Sequence, residues 1–251
     1  MTVHFIGAGP GAPDLITVRG LNLLKKAQVV LYAGSLVPED LVKQAKNAHT
    51  VINTATMTLD EIIEVIIKYH ASGDIIVRLH SGDTSLYGAV NEQIYRLKKL
   101  DIDYDITPGV PAFAAAAAAM KKELTSPSLT QTIILTRTAV RASKMPPGEE
   151  LSNLASTGAA LAIHLSINNL AKVVKTLIPY YGADCPIIIG YRISWPDEKI
   201  IYGTLQDIKG KVKSAGITRT ALIIISKSLN SDQSIDSLLY SKDHTHIFRP
   251  N

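Results

Sequence analysis

Cysteine is almost missing from this chain. Cys185 is the single thiol among 251 residues, so no internal disulfide can form, and a reducing cytoplasm fits that composition. Aromatic residues are scarce at 6%, and the bases are not interleaved with them in any stripe, which disfavours a nucleic-acid surface. Long apolar runs are absent too: the alanine-rich stretch Ala112–Met120 falls well short of a membrane span and runs into Lys121-Lys122-Glu123. No basic region precedes an apolar segment at the start, because Thr2–Ile6 reads as a strand, so no export signal is expected. The chain lacks a Gly-x-Ser-x-Gly elbow, a P-loop and a kinase pattern. Its seven histidines are scattered, and no metal constellation is expected.

What is present is a globular composition, 46% hydrophobic and 19% charged, with a net charge of +4. That mild basicity leaves room for a small polyanionic substrate. Strands at Val3–Ile6, Val29–Tyr32, Thr50–Asn53, Ile75–Leu79 and Asp103–Thr107 alternate with helical patterns at 15–28, Thr58–Ser72, Leu86–Leu100 and Ala112–Met120. Pro38–Leu41 reads as the first turn of a further helix. Thr58 and Glu61 have capping-box spacing, and Leu59, Ile62, Ile63, Ile66 and Ile67 point inward from the helix they open. This is a mostly parallel α/β domain over residues 1–120.

After a polar linker, residues 130–229 read as a second, mixed-sheet α/β domain. Pro186–Tyr191 and Lys199–Tyr202 form a hairpin there, and helices are expected at 149–156, from Asn168 or Asn169 to Leu177, and at 204–214. Residues 230–251 read as a polar tail. Two unlike α/β domains joined in this way leave an inter-domain cleft as the favoured ligand site.

Small-residue turns close the strands: Gly7–Gly11, Ala33–Ser35, Ser81–Asp83 and Pro108–Pro111. Gly7, Gly9 and Ala12 fit a dinucleotide fingerprint, but Pro10 and Pro13 remove donors a pyrophosphate needs. The next strand also ends in Ala33-Gly34-Ser35, with no ribose-binding acid. A nicotinamide oxidoreductase is therefore disfavoured. Such turns grip a ligand mainly by backbone atoms, which suits a neutral or zwitterionic cofactor that carries its own reactive group. The bland alternative for Ser81–Thr84 is a strand-to-helix loop with Asp83 or Thr84 as the cap. His80 beside it reads as a polar residue on a partly exposed strand end, and Cys185 as packing.

Gly7-Ala-Gly-Pro-Gly11 with Pro13-Asp14, Tyr32–Ser35, Arg78–Gly88, Pro108–Phe113 and Leu165-Ser166 run in one order over almost the whole chain. That set resembles the tetrapyrrole (corrin/porphyrin) methyltransferase family. Leu31–Val37, Gln131–Arg137 and Tyr191–Glu198 are similar to the subgroup acting on C11 of precorrin-4 or cobalt-precorrin-4 in cobalamin synthesis, with the overall likeness leaning to the cobalt form. Thr84 replaces the usual proline and Pro111 the usual serine or threonine.

The resemblance implies S-adenosylmethionine as cofactor, S-adenosylhomocysteine as product, two α/β domains and a homodimer, with no nucleic-acid or membrane partner. It maps cofactor contacts onto Pro10, Ser81, Gly82, Asp83, Leu86, Pro111, Ala112 and Leu165, and further onto Tyr191, Arg192, Thr220 and Ala221. Arg78, Arg137 and Arg141 are candidates for the carboxylates of the macrocycle, since guanidinium binds carboxylate bidentately; Tyr87 joins them as a substrate candidate. The catalytic residue stays open: Asp14, Glu92 and Tyr87 could each serve as a base. A sibling enzyme methylating uroporphyrinogen C2/C7 or precorrin-3 C17, and a non-catalytic cofactor-binding scaffold, are the rival readings.

Overall fold

The computed structural model describes residues 2–127, 129–139 and 144–230. Arg141 and residues 231–251 of the expected tail lie outside them. The chain divides into two compact units. Unit 1 holds residues up to Ala115 together with Arg192–Asp197, and unit 2 holds Ala116–Tyr191 and the residues from Glu198 onward.

Unit 1 is built on β1 (Val3–Gly7), β2 (Val29–Tyr32), β3 (Thr50–Asn53), β4 (Ile76–His80) and β5 (Tyr104–Thr107). All pair in parallel, in the order β3-β2-β4-β1-β5. Between the strands run α1 (Val18–Lys26), α2 (Glu39–Val42), α3 (Leu59–Ala71) and α4 (Val90–Lys99), and α5 (Ala112–Met120) follows β5. One face of the sheet buries Ile6, Val30, Val77 and Leu79 with Leu24 and Leu41. The other buries Phe5, Leu31 and Ile76 with Ile62, Ile66 and Leu97. The inner strands β1, β2 and β4, covered on both faces in this way, are mainly apolar, while the edge strands β3 and β5 keep polar and exposed positions.

Local signals explain the helix starts. Thr58 and Glu61 form the expected capping box at the head of α3, which buries Ile62, Ile63 and Ile66. Ile67 is 40% exposed, one step off the buried stripe, and does not point inward as expected. Leu15 belongs to a short turn at Pro13–Leu15, and α1 starts at Val18, where the Thr17 side chain accepts from the Gly20 N–H. The helix expected from Leu86 begins at Val90 instead. Tyr87 and Ala89 both hold left-handed φ values, 52° and 50°, which no α-helix admits.

Unit 2 carries β6 (Ile133–Arg137), β7 (Ala160–His164), β8 (Pro186–Tyr191), β9 (Lys199–Thr204) and β10 (Ala221–Ile225), in the order β6-β7-β10-β8-β9. Only β6 and β7 are parallel; the other pairings are antiparallel, and β8–β9 is the expected hairpin. The helices α6 (Leu151–Ala155), α7 (Leu170–Tyr181) and α8 (Ile208–Ser214) complete it. The Asn169 side chain donates to Thr138 Oγ1 and the Ala139 carbonyl rather than capping α7. That helix also runs beyond Leu177, carried by burial of Leu177 and Tyr181. Cys185 lies in this core, where burial pushes its thiol up to about 11. Among the described residues no helix is long and apolar enough to cross a membrane.

Candidate cofactor and substrate site

In unit 1 the chain leaves β1 over β4 toward β2, and leaves β4 over β1 toward β5. These two adjacent strands thus send their connections in opposite directions, and the crevice at their carboxyl ends is the topological switch point of the sheet. The loops after β1 and β4 meet there backbone to backbone. Gly9 N–H donates to the Gly82 carbonyl at 3.1 Å, and Gly82 N–H donates to the Gly9 carbonyl at 2.7 Å. The loop after β5 packs against both: a Cβ on Gly109 would stand 2.1 Å from the Gly82 oxygen, and one on Gly7 2.5 Å from Gly109 N. Side chains are excluded because the main chains themselves are in contact.

Asp83 ties this junction. Its Oδ2 accepts from Gly109 N–H at 2.7 Å, and its Oδ1 accepts from Ser85 N–H at 2.9 Å and from the Ser85 hydroxyl. Burial raises its carboxyl pKa, but the bonds from the Ser85 side chain and the Gly109 and Ser85 amides outweigh that and hold it below the usual carboxylate range. Asp83 is thus a charged clamp between loops and not the cap of α4, whose N-cap is Ala89. Thr84, the departure from proline, is buried without disturbing the turn.

The structure brings together most of the unit 1 cofactor candidates. Gly82 holds φ 64°. A Cβ there would meet Pro111 Cα at 3.8 Å and Ala112 N and Val110 O at 3.9 Å, ordinary contact distances. Its missing side chain therefore leaves room for one methyl-sized group beside the start of α5. Pro111 suits that place: its carbonyl accepts from Ala114 and Ala115, and the first N–H groups of α5 have no intrahelical acceptor. Ser81 and Asp83 flank Gly82, Pro10 follows Gly9, and Leu86 N–H closes the turn onto the Asp83 carbonyl.

Two sequence candidates land elsewhere than expected. Arg78 is 5% exposed and lies inside, with Nε donating to Gln93 Oε1 at 3.2 Å and Nη1 without a partner. Burial pulls its pKa down to about 10. His80 is 4% exposed rather than half open, and stacks on Phe5 at 5.8 Å. Burial, with the Arg78 charge beside it, lowers its pKa to about 3, so it is neutral at ordinary pH. Of the possible bases, Tyr87 and Glu92 line a common groove of about 670 Å³ with Thr84, Ser85 and Ile106. Asp14 sits exposed in the turn after the first loop.

Unit 2 collects its candidates at one edge of its own sheet. Arg137 ends β6, Leu165 follows β7, Tyr191 ends β8, and Ala221 opens β10 directly across from Tyr191. Leu165 and Thr220 hold φ values of 52° and 54°, and Leu165 is 63% exposed. Non-glycine residues in this region are strained, and such strain gathers at ligand clamps. Arg137 donates to the carbonyls of Thr138 and Lys144, so its guanidinium organises its own loop.

Sequence reasoning singled out Tyr191–Glu198 and named Arg192, but missed Ser194 and Trp195 in the segment Arg192–Asp197, which the chain folds into unit 1. Trp195 Nε1–H donates to the Pro10 carbonyl at 3.0 Å, and Ala12 N–H donates to Ser194 Oγ at 2.9 Å. Arg192 lies 4.1 Å over the Trp195 ring, and its Nε donates to Asp197 Oδ1 at 2.6 Å. The signal was the only tryptophan in the chain, followed by proline in a hairpin connection.

Comparison with known proteins follows this geometry. A family model of the tetrapyrrole (corrin/porphyrin) methylases matches residues 2–209. A precorrin-4 C(11)-methyltransferase of Pseudomonas aeruginosa is 51% identical over 250 residues, covering 100% of this chain and 99% of its own. The X-ray structure of a cobalt precorrin-4 methyltransferase superposes with a TM-score of 0.89 at 42% identity, covering 92% of this chain and 96% of that one. A uroporphyrin-III C-methyl transferase from Thermus thermophilus, solved with S-adenosyl homocysteine, gives a TM-score of 0.75 at 25% identity, covering 90% and 97%.

Proposed function

The chain belongs to the tetrapyrrole (corrin/porphyrin) methylases, and from that premise we infer that it is an S-adenosylmethionine-dependent methyltransferase acting at C11 of a precorrin-4-type ring in cobalamin synthesis. The observation that carries this reading is the backbone junction of Gly9, Gly82 and Gly109 at the switch point of the parallel sheet, in a chain that matches such an enzyme over its whole length. When bound, the cofactor supplies a sulfonium-activated methyl group. The protein has to align it with a ring carbon, and alignment is a large part of what such a site contributes.

The chain's own residues supply that order. Asp83 fixes the loop after β4 to the loop after β5, and the Gly9–Gly82 backbone bonds add the loop after β1. Gly82 leaves room beside Pro111 and Ala112, so a ligand can lie against main chain. Pro10 has no N–H and its carbonyl is engaged by Trp195, so its ring is what it offers a ligand. We assign cofactor contact to Pro10, Ser81, Gly82, Asp83, Leu86, Pro111 and Ala112. Leu165, Tyr191, Arg192, Thr220 and Ala221 join that assignment on the family pattern, supported by the positive φ of Leu165, Arg192 and Thr220. Tyr87 and Glu92 are the proposed groups to receive a proton, because they share one groove. Arg78 serves a substrate carboxylate only if the chain around it opens. A homodimer in the cytoplasm completes the reading, and sedimentation tests the dimer.

The first test is calorimetric titration with S-adenosylhomocysteine, with NADH as control. One-site binding of the former alone is expected; no binding would remove the cofactor class, and binding without methyl transfer to any tetrapyrrole would replace the enzyme by a scaffold. Transfer of a ¹³C-labelled methyl, followed by carbon NMR, then locates the modified carbon. A signal at any position other than C11 would substitute a sibling activity, and kcat/KM on rings with and without cobalt decides between those two substrates.

A further inference from the structure

We propose that Trp195 is a positioning residue for the loop Gly9–Ala12, and that through this loop it sets affinity for the cofactor rather than for the tetrapyrrole. The inference rests on the assignment of Pro10 and its neighbours to the cofactor site. Three contacts join the two segments within unit 1. The indole N–H holds the Pro10 carbonyl, the Ser194 hydroxyl holds the Ala12 N–H, and Gly11 lies flat against the indole. A Cβ on Gly11 would stand 2.3 Å from Trp195 Cδ1 and 2.5 Å from Nε1, so only glycine fits there while the ring stays.

The ring in turn is held from behind. Arg192 covers it at 4.1 Å, and Asp197 fixes Arg192 at 2.6 Å. Such a stack orients both planes. Arg192 and Ser194 also hold φ values of 45° and 65°, costly for residues with side chains, so the segment keeps its path only because these contacts over-determine it.

The direction of the effect follows from what the loop presents. Pro10 and Pro13 remove amide donors on either side of Gly11 and Ala12, so the loop has few bonds of its own to set its path. Its position is set from one side by the Gly9–Gly82 bridge and from the other by Trp195. The bridge is backbone alone and survives any change at 195. Removing the indole donor therefore takes away one of the two hydrogen bonds that hold the Pro10–Ala12 half of the loop, loosens that half, and leaves the Gly82 half in place. A loop that must be ordered on binding lowers affinity by the fraction of time it spends elsewhere.

Trp195 is the only tryptophan, so its emission reports the loop directly. Titration of the unaltered full chain with S-adenosylhomocysteine should change that emission and saturate with the dissociation constant that calorimetry gives. Trp195→Phe should raise that constant about fivefold, the effect of one lost hydrogen bond. The KM for S-adenosylmethionine should rise likewise, with the KM for the tetrapyrrole and the melting temperature held. Gly11→Ala should weaken binding in the unaltered chain and add less than twofold on top of Trp195→Ala. Unaltered protein that binds with silent emission, or folded Trp195→Phe and Gly11→Ala variants that bind as tightly as the parent, would overturn the role of Trp195. So would a parallel rise in both KM values. Failure of the unaltered chain to bind the homocysteine product would instead remove the cofactor assignment itself, and it is read without any variant.

Discussion

The two sheets arrange matching ends by opposite means. In unit 1, β4 ends in the buried His80, and the loops beyond are joined by main chain, with glycine at each contact. In unit 2, β7 ends in His164, and the joint beyond is made by side chains. Ser166 Oγ accepts from Thr138 N–H at 2.8 Å and donates to the His164 carbonyl at 2.6 Å, while Asn169 donates to Thr138 Oγ1. At the switch point of unit 1 the loops approach so closely that only backbone fits between them. The loops after the parallel pair β6 and β7 stand far enough apart for hydroxyl and amide groups to fill the joint. The first joint therefore rejects any added atom, and the second rejects the loss of one.

Gly109→Ala breaks the first joint. Its Cβ would stand 2.1 Å from the Gly82 oxygen and 2.8 Å from Gly7 Cα, all backbone that cannot swing aside. We expect a loss of at least about 3 kcal/mol and no measurable binding of S-adenosylhomocysteine. Ser166→Ala removes an atom from the second joint and orphans the buried Thr138 amide, at about 2 kcal/mol. Urea unfolding of both variants measures the contrast. Equal costs would mean that the unit 1 loops can separate, and the comparison would fall.

Asp83→Ala sharpens the same contrast, because Asp83 is the one side chain on which the unit 1 joint depends. The change leaves the Gly109 and Ser85 amides without their acceptor. The site is partly open to water, so the expected cost is about 1.5 kcal/mol, less than for Gly109→Ala. Binding of the homocysteine product should weaken at least tenfold. A folded variant with unchanged affinity would show that the glycine contacts alone hold the three loops.

What could be read in advance divides along the same line. The strands, the hairpin and the Thr58 cap rest on local patterns, and residues within one turn or one strand fix them. The glycine-rich turns were legible as a ligand grip. Their mutual contacts were not, since Gly9, Gly82 and Gly109 are neighbours only through the strand order. Trp195 and Pro10 are 185 positions apart, and no periodicity links them. Arg78 read as a carboxylate binder because guanidinium binds carboxylate bidentately. Burial beside Gln93 is a property of where α4 packs, and α4 itself starts four residues later than its pattern says, because Tyr87 and Ala89 turn left-handed.

Acid separates the two histidines. Burial lowers His80 to about 3, with Arg78 adding to the shift, and lowers His164 to about 4 by burial alone. Both are neutral in the folded protein at pH 5, whereas in an unfolded chain they take up protons near pH 6.5. The unfolded state therefore binds more protons below that value, and stability must fall as pH drops from 6.5 toward 4 for His164 and toward 3 for His80. Each contributes a slope of about 1.4 kcal/mol per pH unit inside its window. His80→Phe keeps the stack on Phe5 and should remove one of the two slopes between pH 6.5 and 5, measured by urea unfolding above the carboxylate range. His164→Phe should remove the other. An unchanged slope in His80→Phe would mean that the folded protein already accommodates the imidazolium next to Arg78, and that the interior of unit 1 is open to water where the structure closes it.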